Sequence, residues 1–406
     1  WVSAARHPSH FHLMAPEHKK PKLNKRPTFV ASFGHHGDAD VKLVELCLGQ
    51  MLVKVSTFGA TITSIHVPDC TKAGEAREVV LGFGEHGPYE NCPYFGCTVG
   101  RYCNRIAKGA FKLDGRTVTL ASKNDRGNHL HGGAHGWDKK VWDLVDVSGT
   151  SCTMRLTSPD GDEGYPGKVE ASVTFALEWH GRLVIDYKAV VDKPTPVNLT
   201  NHSYFNLTDG GATDVLDHEI VVFADDYLPT DSACIPTGEI KPVHGAMDLR
   251  RPVPIYRGID KAAGGNGYDH NYVISHQDTD ARGLRRAAWL RSPRTGIELN
   301  VFTTEPGIQV CAANHLDGSC TGHDGRVYGK QAGICLETQK FPDSVNHAAF
   351  PSAIVRPGET YSSRTVYAFS ASATATEHWY DHRSRQSGSP RHDPRSMWQP
   401  PPADEE

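Results

Sequence analysis

The chain is 406 residues long, 38% hydrophobic and 22% charged, with a formal net charge of −4. That is enough apolar material for one large domain or two modest ones. It supplies no global positive field, which argues against nucleic acid and anionic membranes as partners and leaves a small or neutral ligand as the expectation.

Residues 1–37 are rich in His, Lys and Pro, include the basic cluster Lys19-Lys20-Pro21-Lys22, and hold neither hydrophobic period; they read as a solvated, disordered arm. The chain opens on Trp1 rather than Met, and its start lacks the apolar core of a secretory signal. From Val41 the pattern is strand-like. Gly49-Gln50 between two apolar runs suits a type II′ hairpin, Asp114-Gly115 a type I′ hairpin, and His180-Gly181 a longer one reaching Val191. Two further strands, 288–290 and 297–302, flank a turn at Ser292-Pro293-Arg294-Thr295-Gly296, and the last strand signal is Thr365-Val366-Tyr367-Ala368-Phe369. Residues 373–406 turn to Ser, Arg, His and Pro and read as a tail. No stretch holds a convincing helical period, and no apolar run approaches the roughly 20 residues that cross a bilayer. The expectation is an all-β, predominantly antiparallel body in one domain, 38–372, large enough to need two stacked sheets.

Ten cysteines show no CxxC pair and no repeated spacing, which predicts reduced thiols in a cytoplasmic protein. Asn198, Asn201 and Asn206 each begin a glycosylation sequon. Glycans there would block a working groove, so the sequons read as accidental.

Six stretches carry residue types suited to chemistry. Gly100-Arg101-Tyr102-Cys103-Asn104-Arg105 sets an amide beside a guanidinium fork able to hold two ligand oxygens, with a structural ion pair as the plainer alternative. Asn128-His129-Leu130-His131-Gly132-Gly133-Ala134-His135 is a glycine-rich loop. With no Cys or acid at ligand spacing, a histidine donating to a ligand is favoured there over a metal site. In the stretch from Val197 to Leu207, strand parity puts Val197, Leu199, Phe205 and Leu207 on one side and Asn198, Thr200, His202, Tyr204 and Asn206 on the other, the look of a groove floor. Asp269, in a Gly-led turn, can accept from hydroxyls or merely cap the turn. Ile308 and Val310 alternate with Gln309, and Ile334 and Leu336 with Cys335, Glu337 and Gln339. A carboxylate on so apolar a strand is desolvated, which raises its proton affinity toward that of a useful base. No phosphate-loop, dinucleotide, zincin or nucleophile-elbow motif is present, so cofactor-free chemistry is implied.

Together, and in order, these stretches resemble the aldose 1-epimerases. The resemblance runs from Phe58-Gly59-Ala60-Thr61-Ile62 through Leu130-His131-Gly132-Gly133, Asp162-Glu163-Gly164-Tyr165-Pro166-Gly167, the 198–207 stretch and Asp269-His270-Asn271 to Leu336-Glu337-Thr338-Gln339. It implies a large antiparallel β-sandwich, Glu337 as general base and His202 as general acid, and Asn104, Arg105, His131, Asp269 and Gln309 as residues that hold the sugar. A free hexose ranks first as substrate, with no metal or other cofactor; the sequence does not give the oligomeric state, with a monomer favoured. His202 must then start protonated, which a nearby carboxylate favours. Three alternatives remain. A noncatalytic sugar binder or sensor would not need both proton-transfer groups, and a glycosidase would need two carboxylates, for which Asp269 and Glu337 are the evident pair. A hexose-6-phosphate epimerase would need extra cations, for which Arg101 is the one candidate.

Overall fold

A computed structural model of the chain describes residues 29–371, apart from residues 70, 72–74, 93 and 278. The expected tail, and the arm up to residue 28, lie outside the described residues.

Every ladder between strands of the described residues is antiparallel, and the one α-helix is the five-residue Gly87–Asn91. Three sheets matter for the argument. One has nine strands, in the order Asp143–Val147, Ser151–Ser158, Val169–Glu178, Arg182–Val191, Thr360–Ala371, Ile297–Thr303, Arg285–Arg291, Glu219–Val222 and Val253–Pro254. A second has six, in the order Tyr204–Phe205, Ile334–Gln339, Gly307–Cys311, Asp269–Ile274, Ala224–Tyr227 and Lys241–Pro242. The third, at the N-terminus, takes five strands in chain order from Phe29–His36 to Ala76–Glu78.

The two-residue period makes these strands one-sided. In Val169–Glu178 the residues Val169, Ala171, Val173, Phe175 and Leu177 are buried, while those between them face outward. The same parity turns Ile308, Val310, Ile334 and Leu336 inward. One contiguous core takes Val173, Phe175 and Ile185 from the nine-stranded sheet, Ile308 and Leu336 from the six-stranded sheet, and Val44, Val53 and Ile62 from the N-terminal sheet. Each such aliphatic side chain contributes about 1.5–3 kcal/mol on leaving water, so the strands are held where their apolar faces meet. No helix of the described residues is long and apolar enough to cross a membrane.

The expected hairpins form. Gly49 (φ 64°) turns between Ala39–Leu48 and Met51–Ser56. Asp114 and Gly115 (φ 48° and 79°) turn between Ala110–Leu113 and Arg116–Thr119. Three expectations need correction. The arm does not run to residue 37: Phe29–His36 is an edge strand paired with Ala39–Leu48, and it lacks a period because most of its side chains are exposed. The thiols are not all reduced, since Cys92 and Cys320 form a disulfide with Cα atoms 6.4 Å apart. Nor is residues 197–207 one strand with a polar floor. It breaks into Thr200–Asn201 and Tyr204–Phe205, and both parities are buried. Its amides serve the backbone instead: Asn198 Nδ2 donates to the carbonyl of Lys340, Asn201 Nδ2 to that of Gly96, and Asn206 Nδ2 to those of Thr213 and Ala332. All three sequon asparagines are therefore closed to a glycan in the folded protein, in keeping with the accidental reading.

Candidate active site

Antiparallel register assembles the site. Asn271 pairs with Gln309, and Gln309 with Glu337, so three polar side chains from adjacent strands stand in one row on the face turned away from the core. In the next row Asp269 pairs with Cys311, Cys311 with Cys335, and Cys335 with Tyr204. The chain just before Tyr204 brings His202 against Glu337, Nε2 to Oε1 3.6 Å. Gln309 Nε2 donates to Asp269 Oδ1 at 2.7 Å. Cys335 Sγ lies 3.5 Å from Nδ1 of His202.

Two loops close over these rows. His131 and Asn104 both adopt left-handed backbone (φ 52° and 60°) and clasp each other: the His131 N–H donates to the Asn104 carbonyl at 3.0 Å, and the Asn104 N–H donates to His131 Nδ1 at 3.1 Å. Gly132 follows at φ 85°, where any Cβ would overlap the Gly100 carbonyl oxygen, so the close approach of these loops requires glycine. Tyr94 packs across both histidines, its ring 4.5 Å from that of His131 and 5.6 Å from that of His202. Arg105 is fixed through Nε to Asp125 Oδ2 at 2.7 Å.

Burial sets the protonation states. It pushes the Glu337 carboxyl well up, with the Asp269 charge adding to it and Arg105 opposing. It pulls His202 down to about 4, with His315 adding to the fall and Asp269 opposing. Both shifts favour the neutral forms, a carboxylic acid at Glu337 and an uncharged imidazole at His202. That differs from the expectation of a protonated His202, because loss of water outweighs the neighbouring charge. Burial also holds His131 well below its ordinary value, with His202 next among the causes. Since its Nδ1 accepts a backbone N–H, the neutral ring carries its proton on Nε2 as a fixed donor. Burial works against the Arg105 charge, but Asp269 and Asp125 outweigh it and keep the guanidinium charged.

Nitrogen and oxygen atoms of His131, His202 and Glu337 lie within 4.8 Å of one another, a spacing that a metal ion can bridge. The donor set fits poorly. A ligating imidazole donates its other N–H outward, whereas His131 Nδ1 is already an acceptor and the lone pair at Nε2 is blocked by its proton.

All seven residues singled out from the sequence thus meet in one place: His202, Glu337, Asn104, Arg105, His131, Asp269 and Gln309. Arg101 does not join them. Its guanidinium is buried and donates to the carbonyls of Pro166, Gly167 and Pro159 and to Ser158 Oγ. Tyr94, Asp125, Asn271 and His315 were missed. Asn271 had a usable signal in its place beside Asp269, whereas the other three come from loops that only the fold brings near. A cavity of about 470 Å³ lies elsewhere, between the N-terminal sheet and the turn at Asp324, and contains none of the seven. Its charged lining is largely paired internally, Glu78 with Ser64 and Arg77 with Asp69.

The sequence profile of the Aldose 1-epimerase family matches residues 42–368. The chain is 44% identical to the galactose mutarotase of Sus scrofa over 336 residues, which is 82% of this chain and 95% of that one. It is 38% identical to the aldose 1-epimerase of Escherichia coli strain K12 over 328 residues, 79% of this chain and 92% of that one. Among solved structures, a GalM/aldose epimerase homologue from C. elegans superposes with a TM-score of 0.74 at 29% identity, covering 81% of this chain and 98% of that one.

Proposed function

Since the chain belongs to the aldose 1-epimerase family and so interconverts the α and β anomers of hexoses, we propose that it does this on free hexoses, galactose and glucose among them, with Glu337 and His202 as the proton-transfer pair. The observation that carries this reading is the opposition of the two groups, 3.6 Å apart, buried and mutually unbonded, where a sugar oxygen can come between each of them and its task.

The reaction needs one proton shared by the pair. In ring opening Glu337 takes the proton of the anomeric hydroxyl while His202 gives one to the ring oxygen; the bond from the anomeric carbon to the ring oxygen breaks, leaving an aldehyde. After rotation about the bond to the aldehyde carbon, His202 takes the proton back from the former ring hydroxyl and Glu337 returns one to the aldehyde oxygen. Glu337 protonated and His202 neutral, the arrangement that burial favours, is the state from which closure begins. Opening begins from the other arrangement of the same proton. A sugar hydroxyl donating to the unpartnered Glu337 Oε2 stabilises the carboxylate, and the Asp269 charge favours the imidazolium. Arg105, the Nε2–H of His131, Asp269, Gln309 and Asn104 position the hydroxyls; each well-placed proton transfer contributes about 10²–10⁴-fold in rate. The internal bonding of Arg101 favours a free hexose over a hexose phosphate.

The test is polarimetry on freshly dissolved α-galactose and α-glucose with wild-type protein, Glu337→Gln and His202→Asn. Acceleration by the wild type that falls by about 10²-fold or more in each variant is expected; a variant retaining near-normal turnover would remove its residue from the mechanism.

A further inference from the structure

A second cluster lies outside the groove. His36 ends the edge strand Phe29–His36, and His86 and Glu90 stand one helical turn apart at the helix Gly87–Asn91. His36 Nδ1 is 2.7 Å from Glu90 Oε1, and His86 Nε2 is 3.4 Å from the same oxygen. One nitrogen or oxygen from each of the three lies within 4.8 Å of the others.

His86 is the unexplained member. It is 5% exposed, its ring packs edge-on to Phe58 at 4.7 Å, its Nδ1 meets no partner, and its Nε2 has only the long 3.4 Å approach to Glu90. A buried polar group without a partner costs about 1–3 kcal/mol, and its presence points to an ion or water in that place. The cluster differs from the groove trio in the respect that matters for a metal. No backbone N–H occupies His36 Nδ1 or either nitrogen of His86, and the 2.7 Å contact is a proton shared with a carboxylate, which a cation can displace.

We propose that His36, His86 and Glu90 bind one divalent ion of the zinc class, tetrahedrally, with water as the fourth ligand on the solvent side. Ligands held about 2.0–2.1 Å from zinc at the tetrahedral angle stand about 3.4 Å apart. The His86–Glu90 spacing already meets this value, and His36, 43% exposed at its side chain, has room to open by about 0.7 Å to reach it. Two imidazoles and a carboxylate suit zinc, and cobalt as its surrogate, over calcium or magnesium, which take oxygen ligands. The bound ion ties the edge strand to the helix.

The test uses the full chain, stripped with a chelator and titrated with CoCl₂ while the visible absorption of tetrahedral cobalt is followed; the band is then displaced with ZnCl₂. The chain has 23 histidines, so the readout is the difference between the wild type and two substitutions at half-exposed positions, Glu90→Gln and His36→Asn. One equivalent of tetrahedral cobalt in the wild type, bound at least about tenfold more weakly by each variant, is expected. A wild type without the band, equal binding in all three proteins, or weakening in only one variant overturns the three-ligand site.

Discussion

Glu337 and Gln309 face each other across neighbouring antiparallel strands, and each carries a buried oxygen, Oε2 and Oε1 respectively, that meets no hydrogen-bond partner in the protein. Two such atoms side by side are costly in an empty groove and satisfied by a polyhydroxylated ligand, which brings several O–H donors at once. The strand register thus sets the two unmet acceptors side by side.

The protonation states define the pH profile. The proposed mechanism needs one proton on the pair, so kcat/KM should fall on the acid side as His202 gains a second proton near pH 4, and on the alkaline side as Glu337 loses its own, above the ordinary carboxylate range. Asp269→Asn removes a charge that raises both groups, so both limbs move to lower pH. Polarimetric profiles corrected for buffer catalysis decide the matter; limbs that stay put or move upward would mean that Asp269 does not act on the pair.

Arg105 is anchored through Nε to Asp125, and the proposed reading assigns its terminal nitrogens to substrate. Arg105→Lys keeps the charge and loses the fork. Loss of one charge-assisted hydrogen bond, about 1.5–3 kcal/mol, should raise KM roughly tenfold or more with a smaller change in kcat. Unchanged saturation curves would make Arg105 a structural residue.

Glu78 gives a stability prediction independent of catalysis. Burial raises its carboxyl from 4.5 to about 7, against the opposing pull of hydrogen bonds from Ser64 and the Ile65 N–H. A folded pKa above the unfolded one contributes stability that is present below pH 4.5 and lost as the pH rises through about 7. The full difference is on the order of 3 kcal/mol. Between pH 5 and 8, Tm should therefore fall more steeply for the wild type than for Glu78→Gln; parallel curves would show that Glu78 titrates normally.

The bond between Cys92 and Cys320 joins residues 228 apart in sequence. Such a link is typically worth about 2–4 kcal/mol. Reductant should lower Tm, the double substitution Cys92→Ser with Cys320→Ser should match the reduced wild type, and reductant should then have no further effect. Equal melting with and without reductant, and alkylation of both thiols in native protein, would count against the bond.

Much of this was legible in the sequence because it depends on parity. Ile308 and Val310 against Gln309, and Ile334 and Leu336 against Glu337, face as a period of two requires, and glycine-led turns mark the hairpins. What parity could not reach is tertiary. The stretch 197–207 is buried on both sides, and its asparagines mark backbone partners rather than a ligand-facing floor. Phe29–His36 is an edge strand that leaves most of its side chains exposed. The proton's place between Glu337 and His202 depends on how completely water is excluded, which no local pattern encodes.

The sequons acquire a further meaning beside the disulfide. Asn198, Asn201 and Asn206 are enclosed only once the sheets have closed; on a nascent, extended chain they are open acceptors. In a host that threads the polypeptide through a glycosylating compartment, modification competes with folding, and a sugar attached first bars the native state for good. The same compartment is the one that readily oxidises Cys92 and Cys320. Production therefore favours a non-glycosylating host followed by oxidation of the folded protein, an order of operations set by which side chains the finished fold hides.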